Sequence, residues 1–236
     1  MRIVRTFCVE NNLFLILNGV KGMNILKGTL LLPALISGSL LVSTANARDA
    51  HISYNYADIG WTYSEADDVI SGIDADGNGP GIRFSGALHP NVHLFGGYTY
   101  QDIDVDISGA PDVDGHTANL GLGYNYNFNK ITSIFARADY IYARAEASGI
   151  SESEDGFGLH AGLRYMLITD GIRQSVFDGI EFQGNIDYVD LDETGDETSL
   201  GAGVLFHVTP NVGLGLAGSW GDDTSSYVAG VRLTFD

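Results

Sequence analysis

One stretch, Pro80 to Gln101, constrains the fold more than any other part of the chain, because it reads as two alternating segments around a turn. Apolar residues and glycines occupy every second position on both sides of the turn: Ile82, Phe84, Gly86, Leu88, Val92, Leu94, Gly96, Tyr98 and Tyr100. The opposite positions hold Arg83, Ser85, Ala87, His93, Gly97, Thr99 and Gln101, with Phe95 as the one bulky exception. A period of two interrupted by Pro90-Asn91 predicts a β-hairpin. Apolar residues on one face and hydroxyls, glycines and an arginine on the other are typical of a strand between lipid and a polar lumen.

The composition agrees with an all-β chain. Among 236 residues there are 31 glycines, only 18% of the residues are charged, and no long helical pattern occurs. The net charge is -18, and the chain has no basic surface pattern that could contact phosphates, which excludes a nucleic-acid-binding protein. The single cysteine, Cys8, precedes the expected mature start, so a disulfide framework and a cysteine metal site are both excluded.

The N-terminal part predicts export. Residues 23–47 hold a basic start at Lys27, an apolar run from Leu30 to Val42 and the small-residue site Ala45-Asn46-Ala47, which together predict a cleaved signal peptide. A membrane anchor is the alternative, but the run is short and is interrupted by Pro33. Residues 1–22 fit no targeting pattern, so we interpret them as an extension from a misassigned start. Residues 48–236 form the predicted barrel domain.

The rest of the chain repeats the pattern of the hairpin. Alternating segments predict ten strands, joined in turn by short turns and by acidic loops at 65–79, 102–115, 146–155 and 190–197, with a longer turn at 169–176. A second hairpin at Thr209-Pro210-Asn211 echoes the first. In the first strand, Tyr54 and Tyr56 lie out of phase with Trp61, which predicts a bulge near Ala57-Asp58. The predicted fold is an antiparallel up-and-down transmembrane β-barrel of ten strands, with eight as the alternative. A water-soluble barrel is the less favoured reading.

Aromatic residues are sorted by strand end, as two membrane interfaces would require. The predicted girdles comprise Trp61, Tyr98, Tyr100, Tyr140, Tyr142, Tyr188, Trp220 and Tyr227 at the loop ends, and Phe128, Phe206 and Phe235 at the turn ends. Leucine, alanine, glycine, isoleucine and valine fill the strand middles. This sorting predicts localisation in the outer membrane of a Gram-negative cell, as a monomer in contact with outer-membrane lipid and lipopolysaccharide.

The run HPNVHLFGGYTYQDID at 89–104, followed by NLGLGYNYN, resembles small outer-membrane β-barrel proteins of proteobacteria linked to quorum sensing by diffusible signal factor. The resemblance covers about His51 to Phe235. It implies an exported outer-membrane barrel that is folded by the barrel-assembly machinery. For relatives it implies an influence on biofilm and motility, and it carries over no catalytic residue. Phe235 is penultimate, whereas such barrels usually end on the aromatic residue itself.

The predicted inner faces carry charge that needs an explanation. Seven charged residues point inward, namely Arg83, Arg137, Asp139, Arg164, Glu181, Asp187 and Arg232, together with His93, His160 and His207. They form either an ion-pair network that plugs the barrel or the lining of a narrow, porin-like pore. Ten strands enclose little more space than eight, whose interior side chains fill, and this favours the plug. Six inward glycines keep the pore open as an alternative: Gly97, Gly121, Gly123, Gly201, Gly213 and Gly215.

Other functions have weaker support. A hydrolase would need His93, His116 or His160 close to a serine or a carboxylate, and no spacing shows such a pair, so we assign no catalytic residues and predict no enzyme. Asp74, Asp76 and Asn78 match half of a calcium loop, but its closing glutamate is missing. We therefore assign no dedicated metal or cofactor site. The acidic loops predict weak, collective binding of divalent cations, or of another surface partner. Arg144 is placed to meet a lipid phosphate.

Overall fold

The computed structural model describes residues 52–70, 73–105, 113–168 and 178–235, and these form ten β-strands. The strands are β1 (Tyr56–Ile70), β2 (Ile73–His89), β3 (Val92–Val105), β4 (Val113–Asn129), β5 (Thr132–Ala147), β6 (Ile150–Ile168), β7 (Gly179–Leu191), β8 (Gly195–Thr209), β9 (Val212–Trp220) and β10 (Thr224–Thr234). No helix in these residues is long and apolar enough to cross a membrane.

The strands close into one antiparallel barrel, and each pairs with its neighbours in sequence. The seam joins β1 to β10 in continuous register, from Tyr56 opposite Thr234 to Ala66 opposite Thr224. Closure pairs the backbone groups of both edge strands, which a membrane-spanning sheet requires. The predicted all-β, up-and-down barrel of ten strands is confirmed, and the alternative of eight strands is wrong.

Short turns define one end of the barrel, which we call the turn end. The predicted hairpin is present, because β2 and β3 pair around Pro90-Asn91, with an irregularity in the register between Ala87 and His89. Turns at 130–131 and 210–211 lie at the same end. The opposite end, which we call the loop end, includes a two-residue turn at Ser148 and Gly149, both with positive φ. Asn, Asp and Gly dominate such turns, so Ser148 is an unusual occupant.

The predicted acidic loops are much shorter than expected, and this prediction was wrong. β1 continues to Ile70, β4 begins at Val113, and β5 and β6 meet at Ser148-Gly149. Glu154 on β6 is buried and accepts from Thr194 Oγ1. On β1 to β5, however, the described carboxylates of the acidic stretches point outward, and the small or apolar residues that alternate with them point inward. The inward ones form a buried cluster at the loop end, which we call the loop-end cluster: Ala66, Ala75, Ile103, Val113, Ala145 and Ala147. Packing of this inner face extends the strands beyond the girdle.

The predicted bulge near Ala57-Asp58 is also wrong. The register of β1 runs without a shift through both residues on β2 and on β10. Tyr54 and Tyr56 are instead interior residues, each about 5% exposed. Tyr54 and Tyr56 lie on the same inward face as Asp58 and Thr62.

Several predictions fall outside the described residues and stay predictions. These are the extension 1–22, the signal peptide 23–47 and the longer turn 169–176.

Candidate functional site in the barrel interior

The interior of the barrel contains a layer of charged side chains. Arg164 and Arg232 have no exposed surface, and Arg137, Asp139, Glu181 and Asp187 are buried. Arg83 points inward from β2 and is partly buried. Burial of this many charges is costly unless each finds partners, so the contacts decide what the interior does.

Asp58 and Arg232 form the pair that spans the closing seam. Arg232 Nε donates to Asp58 Oδ1 at 2.6 Å, and Nη2 donates to Oδ2 at 2.5 Å. The guanidinium also lies 3.9 Å from the ring centre of Tyr56. Sequence analysis missed Asp58 because the false bulge removed it from the lumen face. Its position opposite Arg232 on the neighbouring strand was the signal that could have found it.

A second ion pair joins β6 to β7. Arg164 Nε donates to Glu181 Oε1 at 2.8 Å, and both side chains are fully or almost fully buried. Glu181 Oε2 lies 3.5 Å from His207 Nε2 on β8. These residues are brought together because β6, β7 and β8 are adjacent and the three face inward.

His160 lies between two carboxylates. Its Nδ1 is 2.8 Å from Asp187 Oδ1, and its Nε2 is 2.9 Å from Asp139 Oδ1. Asn119 Nδ2 donates to the other oxygen of Asp139 at 2.5 Å, and Asn185 Nδ2 donates to the other oxygen of Asp187. Each carboxylate thus has partners on both oxygens, and the imidazole is held on both of its nitrogens.

Arg137 is held by neutral partners. Its Nε donates to His93 Nε2 at 3.0 Å, and Nη2 donates to the Tyr56 hydroxyl at 3.4 Å. Because His93 accepts through Nε2, its Nδ1 carries the proton and donates to Asn125 Oδ1 at 3.3 Å. The guanidinium also lies about 5 Å from the ring centres of Phe95 and Phe135.

The segment before β1 crosses the interior at the turn end. The Tyr54 ring stacks on His93 with centroids 4.5 Å apart, and the Arg164 guanidinium lies 4.6 Å from its centre. The Tyr54 hydroxyl is 3.0 Å from Ser133 Oγ, on β5. Ser85 Oγ, on β2, donates to the Tyr54 carbonyl at 2.7 Å. The segment therefore contacts β2 and β5 together.

Apolar side chains surround this crossing. Ile52, Tyr54, Tyr56, Phe135 and Met166 form one buried cluster, which we call the turn-end cluster. At the loop end the charged layer meets the loop-end cluster and a further buried group of Ile141, Ala143, Val189 and Leu191. Buried polar side chains lie at the loop end as well, where Ser64 is bonded to Ser226 and to Gln101, and Ser219 to Ser199. The charged layer therefore has an apolar cluster on its turn-end side and mixed apolar and polar packing on its loop-end side.

Among the three histidines considered for a hydrolase, His160 has the nearby carboxylates that such a base would need, and the partners described for the three include no serine. His160 contacts two carboxylates, and His93 contacts Arg137 and Asn125. His116 points outward, where its Nδ1 is 2.7 Å from the Tyr98 hydroxyl. These partners differ from the base-and-nucleophile pair that acyl transfer needs.

Carboxylates line the outer face at the loop end. Glu65, Asp76 and Asp104 lie directly opposite one another on β1, β2 and β3. With Asp67 and Asp74 they border an open depression of about 450 Å³. The half-match to a calcium loop lies on the extended strand β2 and not in a loop. Within the described residues, no three His, Cys, Asp or Glu side chains are arranged to hold a metal ion.

The family model described as "Outer membrane protein beta-barrel domain" matches residues 32–206. The chain belongs to this outer-membrane β-barrel family. Among curated proteins, none matches the chain.

Solved structures that are similar to this chain include three bacterial proteins of low sequence identity, one of which, OprG, is named an outer membrane protein. Neisserial surface protein A is 13% identical over 78% of this chain and 98% of its own, with a TM-score of 0.42. OprG from Pseudomonas aeruginosa is 11% identical over 79% and 98%, with a TM-score of 0.40. Ail of Yersinia pestis is 15% identical over 78% and 100%, also with a TM-score of 0.40.

The outer face of this outer-membrane barrel carries the residues assigned to the two girdles. Trp61, Tyr98, Tyr140, Tyr142, Trp220, Tyr227, Phe128 and Phe235 are exposed, and Tyr100, Tyr188 and Phe206 are partly exposed. Leucines and isoleucines of the strand middles are exposed as well, among them Leu120 at 54% and Ile186 at 50%. Arg144, at the loop end of the same face, pairs with Glu146 at 2.9 Å.

Proposed function

We propose that this protein is a structural component of the cell envelope whose barrel interior is closed, and that it acts through its lipid-facing and loop-end surfaces. One observation carries the proposal: the interior is filled with buried side chains, from the apolar turn-end cluster through the charged layer to Ser64, Gln101 and Ser219 at the loop end. Water and solutes cross a barrel only where polar surface is continuous, and apolar constrictions oppose wetting. The plug is therefore favoured over the narrow porin-like pore.

Vesicle swelling tests this proposal. Vesicles that contain the folded protein should swell in small sugars or amino acids no faster than protein-free vesicles. A matched control is a known open porin at the same protein-to-lipid ratio. Swelling that depends on solute size and on the amount of this protein would contradict a closed interior and support the pore.

The acidic outer face supports a second candidate, a surface that attracts divalent cations. Like charges directly opposite on adjacent strands are unfavourable, and the row Glu65, Asp76 and Asp104 places three carboxylates in this relation. Calcium or magnesium would relieve the repulsion and could bridge to the phosphates of lipopolysaccharide. This binding is weak and collective, without a dedicated site.

The physiological context is part of the proposal. We assign a monomer, secreted by a cleaved signal peptide and inserted by the barrel-assembly machinery. The link to quorum sensing and biofilm rests on the sequence resemblance. A deletion strain that is compared with its complemented parent for permeability and biofilm mass tests that link. Complementation by a His116→Ala protein separates an envelope role from a hydrolase that uses this histidine, because only the hydrolase would fail.

A further inference from the structure

At the loop end, β6 rises above its neighbour β7, so part of one edge of β6 has no partner strand among the described residues. β6 begins at Ile150, but its pairing with β7 begins only at Gly156, which lies opposite Leu191. On its other side, β6 is paired with β5 from Ile150 onward. The first residues of β6 therefore have a neighbouring strand on one side only. We call residues 150–153 the β6 edge.

The backbone groups on the open side of the β6 edge belong to Ser151 and Ser153. The two-residue turn between β5 and β6 makes Ile150 and its partner on β5 a hydrogen-bonded pair, and such pairs then recur at every second residue. Ser151 and Ser153 lie between them, so their N–H and C=O groups point away from β5. Asp155 has the same phase, and its carbonyl accepts from the Asp192 N–H at 3.1 Å, which confirms this direction.

The β6 edge is open to solvent outside the membrane. Ser151 and Ser153 are exposed, and the apolar Ile150 is 53% exposed. Tyr142 of the girdle lies opposite Asp155, so the edge is on the outer side of the girdle, nearer to the turn between β5 and β6. Unpaired N–H and C=O groups on an exposed strand edge can pair with the backbone of another chain. The edge therefore has the geometry of a docking site for an extended segment.

Carboxylates near the β6 edge indicate the charge of its partner. Glu152 lies within the edge, Asp155 follows it on the outer face, and Asp192 is hydrogen-bonded to the backbone of Asp155. Arg144 on the neighbouring strand β5 is already paired with Glu146 at 2.9 Å. A segment with lysine or arginine complements this charge. A second copy of the edge would instead place like charges on adjacent strands, which is unfavourable.

We infer that the β6 edge binds an extended, basic segment of another protein, which pairs with β6 as an added strand above the end of β7. Main-chain hydrogen bonds to Ser151 and Ser153 hold the segment, and alternate side chains provide the specificity. Basic side chains of the segment lie near Glu152 and Asp155, which favours them over acidic ones. The binding goes beyond the proposed envelope role and does not depend on a closed interior, because the edge lies outside the lumen.

Peptide binding to the folded protein tests the β6 edge. The probe is a short fluorescent peptide of alternating lysine and valine, and fluorescence anisotropy measures its binding to the full mature chain in micelles of an uncharged detergent. A peptide with glutamate in place of lysine should not bind. Methylation of the peptide nitrogens that face the edge removes hydrogen-bond donors and keeps the charge, so it should weaken binding by about tenfold or more.

Proline at the edge locates the binding on the protein. Ser153→Pro removes an N–H group that points away from β5, so the pairing of β5 with β6 is retained while the open side is blocked. This variant should bind the lysine peptide about tenfold more weakly or worse. The matched control, Ser153→Ala, keeps the backbone groups and should bind as the wild type does. If Ser153→Pro does not fold, the methylated peptide with the wild-type protein still decides the site.

Other results would overturn the inference. Failure of the lysine peptide to bind the wild-type protein, or equal binding of the glutamate peptide, would reject a basic partner. Equal affinity of the wild type and folded Ser153→Pro, or of the plain and methylated peptides, would place the peptide on outer carboxylates and not on the edge. Self-association of the wild type in sedimentation equilibrium that Ser153→Pro abolishes would make a second copy the occupant.

Discussion

Asp58 and Arg232 are separated by 174 positions in sequence, yet they form a doubly hydrogen-bonded ion pair across the seam that closes the barrel. The pair links the first strand to the last, so it can form only when the ring of strands is complete. Both side chains are buried, and the Tyr56 ring covers the guanidinium.

Replacement of Asp58 should strongly destabilise the folded barrel. Asp58→Asn leaves the Arg232 guanidinium buried without a carboxylate, which should lower the free energy of unfolding by about 3 kcal/mol or more. Urea unfolding in lipid vesicles measures the change. Asp222→Asn, at an exposed loop-end position, is the control and should stay within about 0.5 kcal/mol of the wild type. Equal effects of the two variants would show that the pair contributes little.

Glycine at position 121 should be required, because Asp139 packs closely over it. A Cβ atom there would lie 2.2 Å from the Ala138 carbonyl oxygen and 2.5 Å from Asp139 Cβ. Gly121→Ala should cost about 1–3 kcal/mol, the range for overpacking. A Cβ at Gly86 meets nothing within 4 Å, so Gly86→Ala should be neutral in the same unfolding measurement. A neutral Gly121→Ala variant would contradict the packing of the charged layer.

Relief of charge repulsion should stabilise the outer carboxylate row. Asp76→Asn removes the central charge between Glu65 and Asp104 and keeps an acceptor for the Tyr63 hydroxyl. Without divalent cations the variant should be more stable than the wild type by about 0.2–1 kcal/mol. Calcium should stabilise the wild type and have a smaller effect on the variant, with sodium at equal ionic strength as the control. An equal response to calcium in both proteins would remove this row from cation binding.

Tyr54 should stabilise the folded barrel mainly through the packing of its ring. Tyr54→Ala removes the contacts to His93 and Arg164 from the turn-end cluster and should cost about 3–5 kcal/mol, as loss of a buried aromatic ring does. Tyr54→Phe loses only the hydrogen bond to Ser133 and should cost about 1 kcal/mol. The same unfolding assay separates the two. Similar, small losses for both variants would show that the segment does not close the turn end.

The alternation in the sequence predicted the strands, their number and the side on which Arg83, Arg137 and Arg232 lie, because a period of two directly determines the face. It did not predict that the strands extend into the acidic stretches. A high content of carboxylates indicated loops, although Asp102 and Asp104 alternate with Ile103 as strand residues do. The alternation also did not predict which interior side chains contact each other across the barrel. The contact of His160 with Asp139 and Asp187 depends on the register of three strands, and the crossing of Tyr54 depends on a segment outside the sheet.

Single-channel recording in planar bilayers tests the closed interior most directly. Purified wild-type protein, with insertion verified by its resistance to protease, should give no conductance steps above the lipid baseline in potassium chloride. The side chains of the interior bury one another, and the apolar turn-end cluster lies across one end, so we expect no continuous open path for ions. Reproducible ohmic steps from the wild-type protein, in proportion to the amount inserted, would contradict the account.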